Sequence, residues 1–382
     1  MIDSLSHLSQ SDSYYARDPL TLRQSLLSRR DMKIICRDSR RRHTPSETDD
    51  TQDHYEWCRY CSDGTHRHSH LTNRVIDEIS IDGQPVIAVT KKDLDVTIMG
   101  PVIKQGDGNF GLQTNIGVDE TVAIGSRHSL RMTELPVKLF AASLTMCFRR
   151  ISDLNGDSRL ANIIMWSEVN NLAQEFGFVH PHWHIAGHTE EFPRPGEEME
   201  MCYHHYYTMR HLRCLMCDIL TDELRLEQLI VGLTPHFVAF IPRAARHPFE
   251  TWVVPRQHSS TFESICASQP DISQFNIELA GLLKDLLKKM EKFLGPRCPI
   301  ELLLYNAPHN YHIGFPSASS TLHAEEIDPC FHTRFRVRPI FAQRSMRSSA
   351  TGIAFNRLLP SESARLLNMP DDKIDQWVIS TD

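Results

Sequence analysis

The chain has 382 residues, a formal net charge of −7, 41% hydrophobic and 23% charged residues. This supplies ample material for a core of one large or two ordinary domains, and the acidic balance argues against a broad basic surface for nucleic acid or an anionic membrane. No stretch reaches the ~18 apolar residues of a membrane span, and the opening residues show no basic-then-apolar leader, so a cytoplasmic location is expected. Ten cysteines, two Cys-x-x-Cys pairs among them, then argue for metal ligation rather than disulfides.

In chain order, residues 1–30 carry few apolar positions and read as a polar extension that wraps the surface or stays mobile. Asp31–Arg42 reads as a short strand running into a basic turn. Cys58 and Cys61 follow. Val75–Ile98 and Thr114–Ile124 alternate apolar and polar residues, predicting antiparallel strands separated by a loop or flap at Gly106–Asn109. Apolar residues at helical spacing predict a long helix over Val137–Leu154, and Asn162–Trp166 predicts a strand. Pro193–Gly196 marks a boundary. Beyond it come a polar helix around Tyr203–Arg213, the pair Cys214 and Cys217, and a strand over Leu229–Pro242. A helix over Ile272–Leu294, a strand over Ile300–Tyr305, an alternating strand over His332–Arg338 and a closing helix from Ser361 complete the reading. The order of Cys-x-x-Cys, strands, His, long helix, strand and His-bearing strand occurs approximately twice, which is evidence for a duplicated unit.

The centre of the chain is His180-Pro181-His182-Trp183-His184. In an extended strand these three histidines share one face. Three imidazoles so placed can hold a metal, or one can act as a nucleophile that its neighbours orient. The motif, followed by Ile185 and Ala186, resembles the signature of the histidine-triad superfamily. The His-Pro-His form in a chain of this length resembles the galactose-1-phosphate uridylyltransferase branch, which includes plant-type ADP-glucose phosphorylases. The resemblance covers roughly residues 20–368 and implies an α+β fold: two histidine-triad-like halves, antiparallel sheets flanked by helices, about a pseudo-twofold. The halves would span 31–195, with the intact motif, and 196–382, with a degenerate one in which Arg334 and Arg336 replace two histidines.

Cys58 and Cys61 have the spacing that lets two thiolates reach one tetrahedral ion. The resemblance supplies His128 and His180 as the other ligands. Cys214 and Cys217 repeat the pattern. Pro248-Phe249-Glu250 through Pro255-Arg256-Gln257-His258 resembles the plant-type branch and makes His258 the third ligand. The resemblance points to Asn306–Gly314 for the fourth, with His312 preferred to His309. Two structural zinc ions per chain are expected. The iron site of galactose-type enzymes uses a His-x-His and a further His; here those places read His332-Thr333-Arg334 and Asn306, so no iron is expected.

The resemblance makes His182 the nucleophile, attacking the α-phosphorus of a nucleotide to form a covalent nucleoside monophosphate adduct. It places Asn171, Gly177 and Phe178 at the ribose and phosphate. His184 departs from the Gln of uridylyltransferases and matches histidine-triad hydrolases; unlike Gln it can carry a proton to or from a reacting group. Further departures lie at Met346-Arg347 and around Asp77-Glu78, where relatives contact sugar and base.

The expected function is nucleotidyl transfer from a nucleoside diphosphate sugar or dinucleotide to a sugar phosphate or inorganic phosphate. A histidine-triad hydrolase using water is the enzymatic alternative, and a zinc-stapled nucleotide-binding protein without turnover the non-enzymatic one. No nucleic-acid or membrane partner is expected, and the resemblance implies a homodimer that the residues themselves do not decide. Base, sugar and pathway are not legible.

Overall fold

The computed structural model describes residues 13–17, 24–28, 75–90, 101, 104–107, 110–113, 116–126, 131–170, 180–189, 198–199, 201–296, 298–308, 327–341 and 353–374. In chain order the first elements are β1 (Ser13–Arg17), β2 (Gln24–Ser28), β3 (Val75–Ile81), β4 (Gln84–Thr90), β5 (Lys104–Asp107), β6 (Phe110–Gln113) and β7 (Gly117–Ile124). Helix α1 (Val137–Leu154) leads to β8 (Asn162–Val169) and β9 (His182–His188). A π-helical stretch (Met201–Tyr207) precedes α2 (Leu215–Leu226), β10 (Ile230–Leu233), β11 (Phe237–Phe240) and β12 (Thr251–Pro255). Then come α3 (Phe262–Ser268), α4 (Ile272–Leu294), β13 (Ile300–Tyr305), β14 (Arg334–Pro339), β15 (Ala354–Asn356) and α5 (Pro360–Leu367).

Local chemistry explains most of these boundaries. The long alternating stretch from Val75 folds back on itself because Asp82 and Gly83 both take positive φ (51° and 76°), the geometry of a two-residue hairpin turn. The single strand expected over Leu229–Pro242 is likewise a hairpin. Thr234 accepts the Phe237 N–H on its hydroxyl and donates its own N–H to the Phe237 carbonyl, which closes a turn around Pro235. Both long helices have the bounds their apolar spacing predicts. Asp271 caps α4 by accepting the Gln274 N–H at 3.0 Å, and Gly295, at φ 91°, ends it. The extension 1–30 contributes β1 and β2, which pair with each other, and β2 runs parallel to β15 near the other end of the chain.

Ten strands form one antiparallel sheet in the order β10-β11-β12-β14-β13-β8-β9-β7-β4-β3. With the separate β5–β6 hairpin left aside, the order outward from the central β8/β13 pair is the same in both directions: central strand, the strand that follows it in the chain, then the three of this sheet that precede it. Helices α1 and α4 pack against each other on one face, over a core that includes Phe140, Trp183, Phe262, Phe293 and Phe335. Gly187 of β9 lies so close to β7 that an added Cβ would meet Val118 Cγ1 at 2.9 Å, which explains a glycine inside this strand. Among the described residues no helix is long and apolar enough to cross a membrane.

Candidate active site and metal centre

β9 begins at His182 rather than His180, since Pro181 has no N–H to give a ladder; its carbonyl accepts from Ile124 N at 2.9 Å. Alternation along β9 sends Trp183 to the helix face, where it is fully buried. There its indole N–H donates to Ser143 Oγ at 3.0 Å, and its ring stacks on Phe140 with centroids 6.0 Å apart. His182 and His184 therefore share the opposite face. Their rings meet edge-on with centroids 4.5 Å apart, and their Nε2 atoms are 2.9 Å apart.

His182 is held from two directions. Its Nδ1 lies 2.6 Å from the His180 carbonyl oxygen, so Nδ1 carries the proton it donates there and the Nε2 lone pair faces His184. Its own carbonyl accepts from Ser167 Oγ at 2.7 Å, tying this point of β9 to β8. His184 stacks on Trp166 of β8 with centroids 4.9 Å apart. The pair thus presents one oriented nucleophilic nitrogen with a ring N–H donor beside it. Ser167 and Trp166 were missed in the sequence because their role arises only from strand pairing.

His180 is buried, 1% exposed. Cys58, Cys61 and His128, its expected partners at zinc, lie outside the described residues, as do Asn171, Gly177 and Phe178.

The second set is brought together. Cys214, Cys217, His258 and His332 offer ligand atoms all within 4.8 Å of one another. Cys214 immediately precedes α2 and Cys217 lies in its first turn, so the helix start presents both thiols to one point. Cys217 Sγ is 3.2 Å from His258 Nδ1 and 3.5 Å from His332 Nδ1. Two thiolates and two imidazoles around tetrahedral zinc stand about 3.3–3.8 Å apart, given ~2.0–2.3 Å ligand bonds. Each imidazole donates its Nε2–H to a backbone carbonyl, His258 to Asp328 at 2.8 Å and His332 to Pro255 at 3.0 Å. Both Nδ1 lone pairs are thereby left for an ion, the arrangement that outer hydrogen bonds impose on ligating histidines. The hydrogen bond from Cys217, with His258 and His332 beside it, holds the Cys214 thiol far below its ordinary range. Contact with Cys214 raises His258. This donor set fits zinc.

The fourth member was expected at His312 or His309, which lie outside the described residues; His332 takes that place in the cluster. The signal was present in the repeat. If Cys58, Cys61, His128 and His180 form one set, the matching positions of the second are Cys214, Cys217, His258 and His332.

Arg334, two residues on, makes a bidentate pair with buried Glu198 at 2.5 and 2.7 Å, its guanidinium 4.8 Å from the Trp252 ring centroid and 4.6 Å from that of Tyr305. Asn306 accepts from Thr333 Oγ1 at 2.7 Å and donates to Glu263 at 2.9 Å.

No family model matches the chain. The galactose-1-phosphate uridylyltransferase of Thermotoga maritima is 26% identical over 283 residues, 72% of this chain and 80% of that protein. The ADP-glucose phosphorylase of Arabidopsis thaliana is 28% identical over 155 residues, 41% of this chain and 37% of that protein. Among solved structures, an Arabidopsis thaliana ADP-glucose phosphorylase with bound ADP-glucose superposes with a TM-score of 0.68 at 16% identity, covering 94% of this chain and 99% of that one. A uridylyltransferase superposes with a TM-score of 0.64 at 17% identity, covering 95% and 98%. At these identities the structural likeness speaks to the fold.

Proposed function

We infer that this chain, a relative of the galactose-1-phosphate uridylyltransferase-like proteins, is a nucleotidyltransferase. It moves a nucleoside monophosphate from a nucleoside diphosphate sugar, or a similar dinucleotide, to a sugar phosphate or inorganic phosphate. The observation that carries this reading is the His182 ring, whose Nδ1–H is held by the His180 carbonyl so that its Nε2 lone pair points toward His184 on the open face of β9. The relatives named above supply the substrate class.

The reaction proceeds in two displacements. The Nε2 lone pair of His182 forms a bond to the α-phosphorus while the bridging P–O bond breaks, and the sugar phosphate leaves with that electron pair. Nδ1–H stays on the His180 carbonyl, which stabilises the charge on the nucleotidylated ring. A phosphate oxygen of the acceptor then attacks phosphorus, the P–N bond breaks, and its electrons return to Nε2. His184, 2.9 Å away, turns its Nε2–H onto a phosphoryl oxygen as negative charge builds there. Because His184 can also accept a proton, water as the final acceptor is the second reading.

Zinc would be held by Cys214, Cys217, His258 and His332, closed and structural, with no open position for substrate. A second ion at Cys58, Cys61, His128 and His180 would brace the backbone next to the nucleophile, and Asn171, Gly177 and Phe178 would line the ribose and phosphate. Two halves, 31–195 and 196–382, related by a pseudo-twofold accord with the repeated strand order; only the first keeps the nucleophile. A cytoplasmic homodimer completes the proposal.

Intact-mass spectrometry after brief incubation with each nucleotide sugar, quenched at alkaline pH, tests it. A nucleoside monophosphate adduct that vanishes in His182→Gly is expected. Turnover of a nucleotide sugar that His182→Gly leaves unchanged would refute the mechanism.

A further inference from the structure

β14 carries Arg334, Arg336 and Arg338 on alternate positions, so all three point to the face of the sheet that holds His182 and His184. Arg334 is spent on Glu198, as described above. Arg336 and Arg338 are not matched in this way, because they share the carboxylate of Glu301: Arg336 donates to Oε1 at 2.7 Å and Arg338 donates to Oε2. Arg338 also donates to His247 Nε2 at 3.0 Å, so His247 is a neutral acceptor there. Around His247 stand Arg246, Arg336 and Arg338 against Glu250 and, through the arginines, Glu301. Strand register places Glu168 of β8 opposite Glu301 on the same face, so the arginine pair sits at the end of a row of mixed charge. The Nε atoms of Arg336 and Arg338 are buried with no hydrogen-bond partner, although Arg336 is only 8% exposed. A buried guanidinium donor without an acceptor costs free energy unless an anion satisfies it. The Arg338 side chain, 20% exposed, opens the cluster to solvent.

The position is informative. Strand register places His184 opposite Trp166, Trp166 opposite Leu303, and Leu303 opposite Arg336. The four residues form one row across the sheet, with His184 and Arg336 at its ends, three strand spacings or about 14 Å apart at the backbone. We propose that Arg336 and Arg338 form a second anion-binding site, for a phosphate or carboxylate group, on the same face as the His182–His184 pair and distinct from it. The anion is either a free ion or a second charged group on the ligand whose phosphorus sits at His182. The site requires no turnover, so it stands or falls apart from the transfer reaction.

The test is calorimetric titration of inorganic phosphate into the zinc-loaded full chain carrying His182→Asn, which removes the nucleophile's own phosphate contact. One saturable phosphate per chain is expected. Adding Arg338→Gln, or Arg336→Lys in a second protein, should weaken it at least about ten-fold, the loss of one charge-assisted bond, with an unchanged circular dichroism spectrum. Absence of binding in His182→Asn, or binding that neither arginine substitution weakens, would overturn the site. Collapse of both arginine variants would also count against it, since it would mark the pair as structural. In the otherwise wild-type chain turning over a nucleotide sugar, an arginine substitution that raises KM with kcat unchanged would place the anion on the substrate, and an unchanged KM would make it a separate ion.

Discussion

His184 approaches His182 through Nε2 rather than Nδ1, at 2.9 Å, while Trp166 stacks on its ring. In the proposed reaction, that orientation lets His184 offer its Nε2–H beside the phosphorus held at His182. Replacing it with Gln keeps a donor there and removes the titrating group. His184→Gln is expected to retain transfer to phosphate acceptors within about ten-fold, while release of the adduct to water falls about 10²-fold or more, the usual scale of general acid–base assistance. Quench-flow of the adduct with and without phosphate measures both rates.

His332 and His312 make opposite predictions for zinc. His332→Ala should remove one zinc per chain from the purified protein, whereas His312→Ala should leave the zinc content unchanged. Elemental analysis of undenatured protein decides between them. Loss of the ion should also bring a large drop in thermal stability, because zinc binding to a closed site contributes directly to folding free energy.

Two long helices and the triad strand were legible in the sequence because their signals are local. Apolar spacing outlines Val137–Leu154 and Ile272–Leu294 without reference to anything else. The fourth member of the cluster, His332, was legible only through the repeat, since the family resemblance over Asn306–Gly314 pointed to His312. Glu198 was not legible as the partner of Arg334. The two are far apart in the chain, and nothing near either residue marks the other. The same holds for Arg336 and Glu301, whose meeting depends on the register of β13 with β14. Of the two hairpin turns, Asp82-Gly83 carries a local sequence signal, while the turn at Pro235 depends on the Thr234 hydroxyl.

Ser143 holds Trp183 from α1, and both are fully buried. Ser143→Ala leaves the indole N–H without its acceptor in a dry site and should cost about 1–3 kcal/mol. Urea unfolding at neutral pH reads this, and the His182 face should keep its activity.

Burial pushes His247 down to about 4, with the Arg338, Arg336 and Arg246 guanidiniums adding to the effect against Glu250. The unfolded chain takes up a proton near pH 6.5 that the folded chain refuses until about pH 4. Stability from this group is therefore present above pH 6.5 and lost as pH falls toward 4. Between pH 7 and pH 5 the loss is about 2 kcal/mol. His247→Gln, which keeps an acceptor for Arg338, should flatten that slope in urea titrations at the two pH values.

The central pairing of β8 with β13 has a consequence for how the protein is made. β8 and β9 leave the ribosome together, but the other edge of β8 receives its partner only when Ile300–Tyr305 emerge. Through that interval the nascent chain holds out a strand lined by Ile163 and Met165 with unpaired backbone groups, the kind of edge that joins neighbouring chains. The late arrival of this partner is thus built into the strand order. The yield of folded protein in a cell depends on how well that edge is shielded until the later residues arrive.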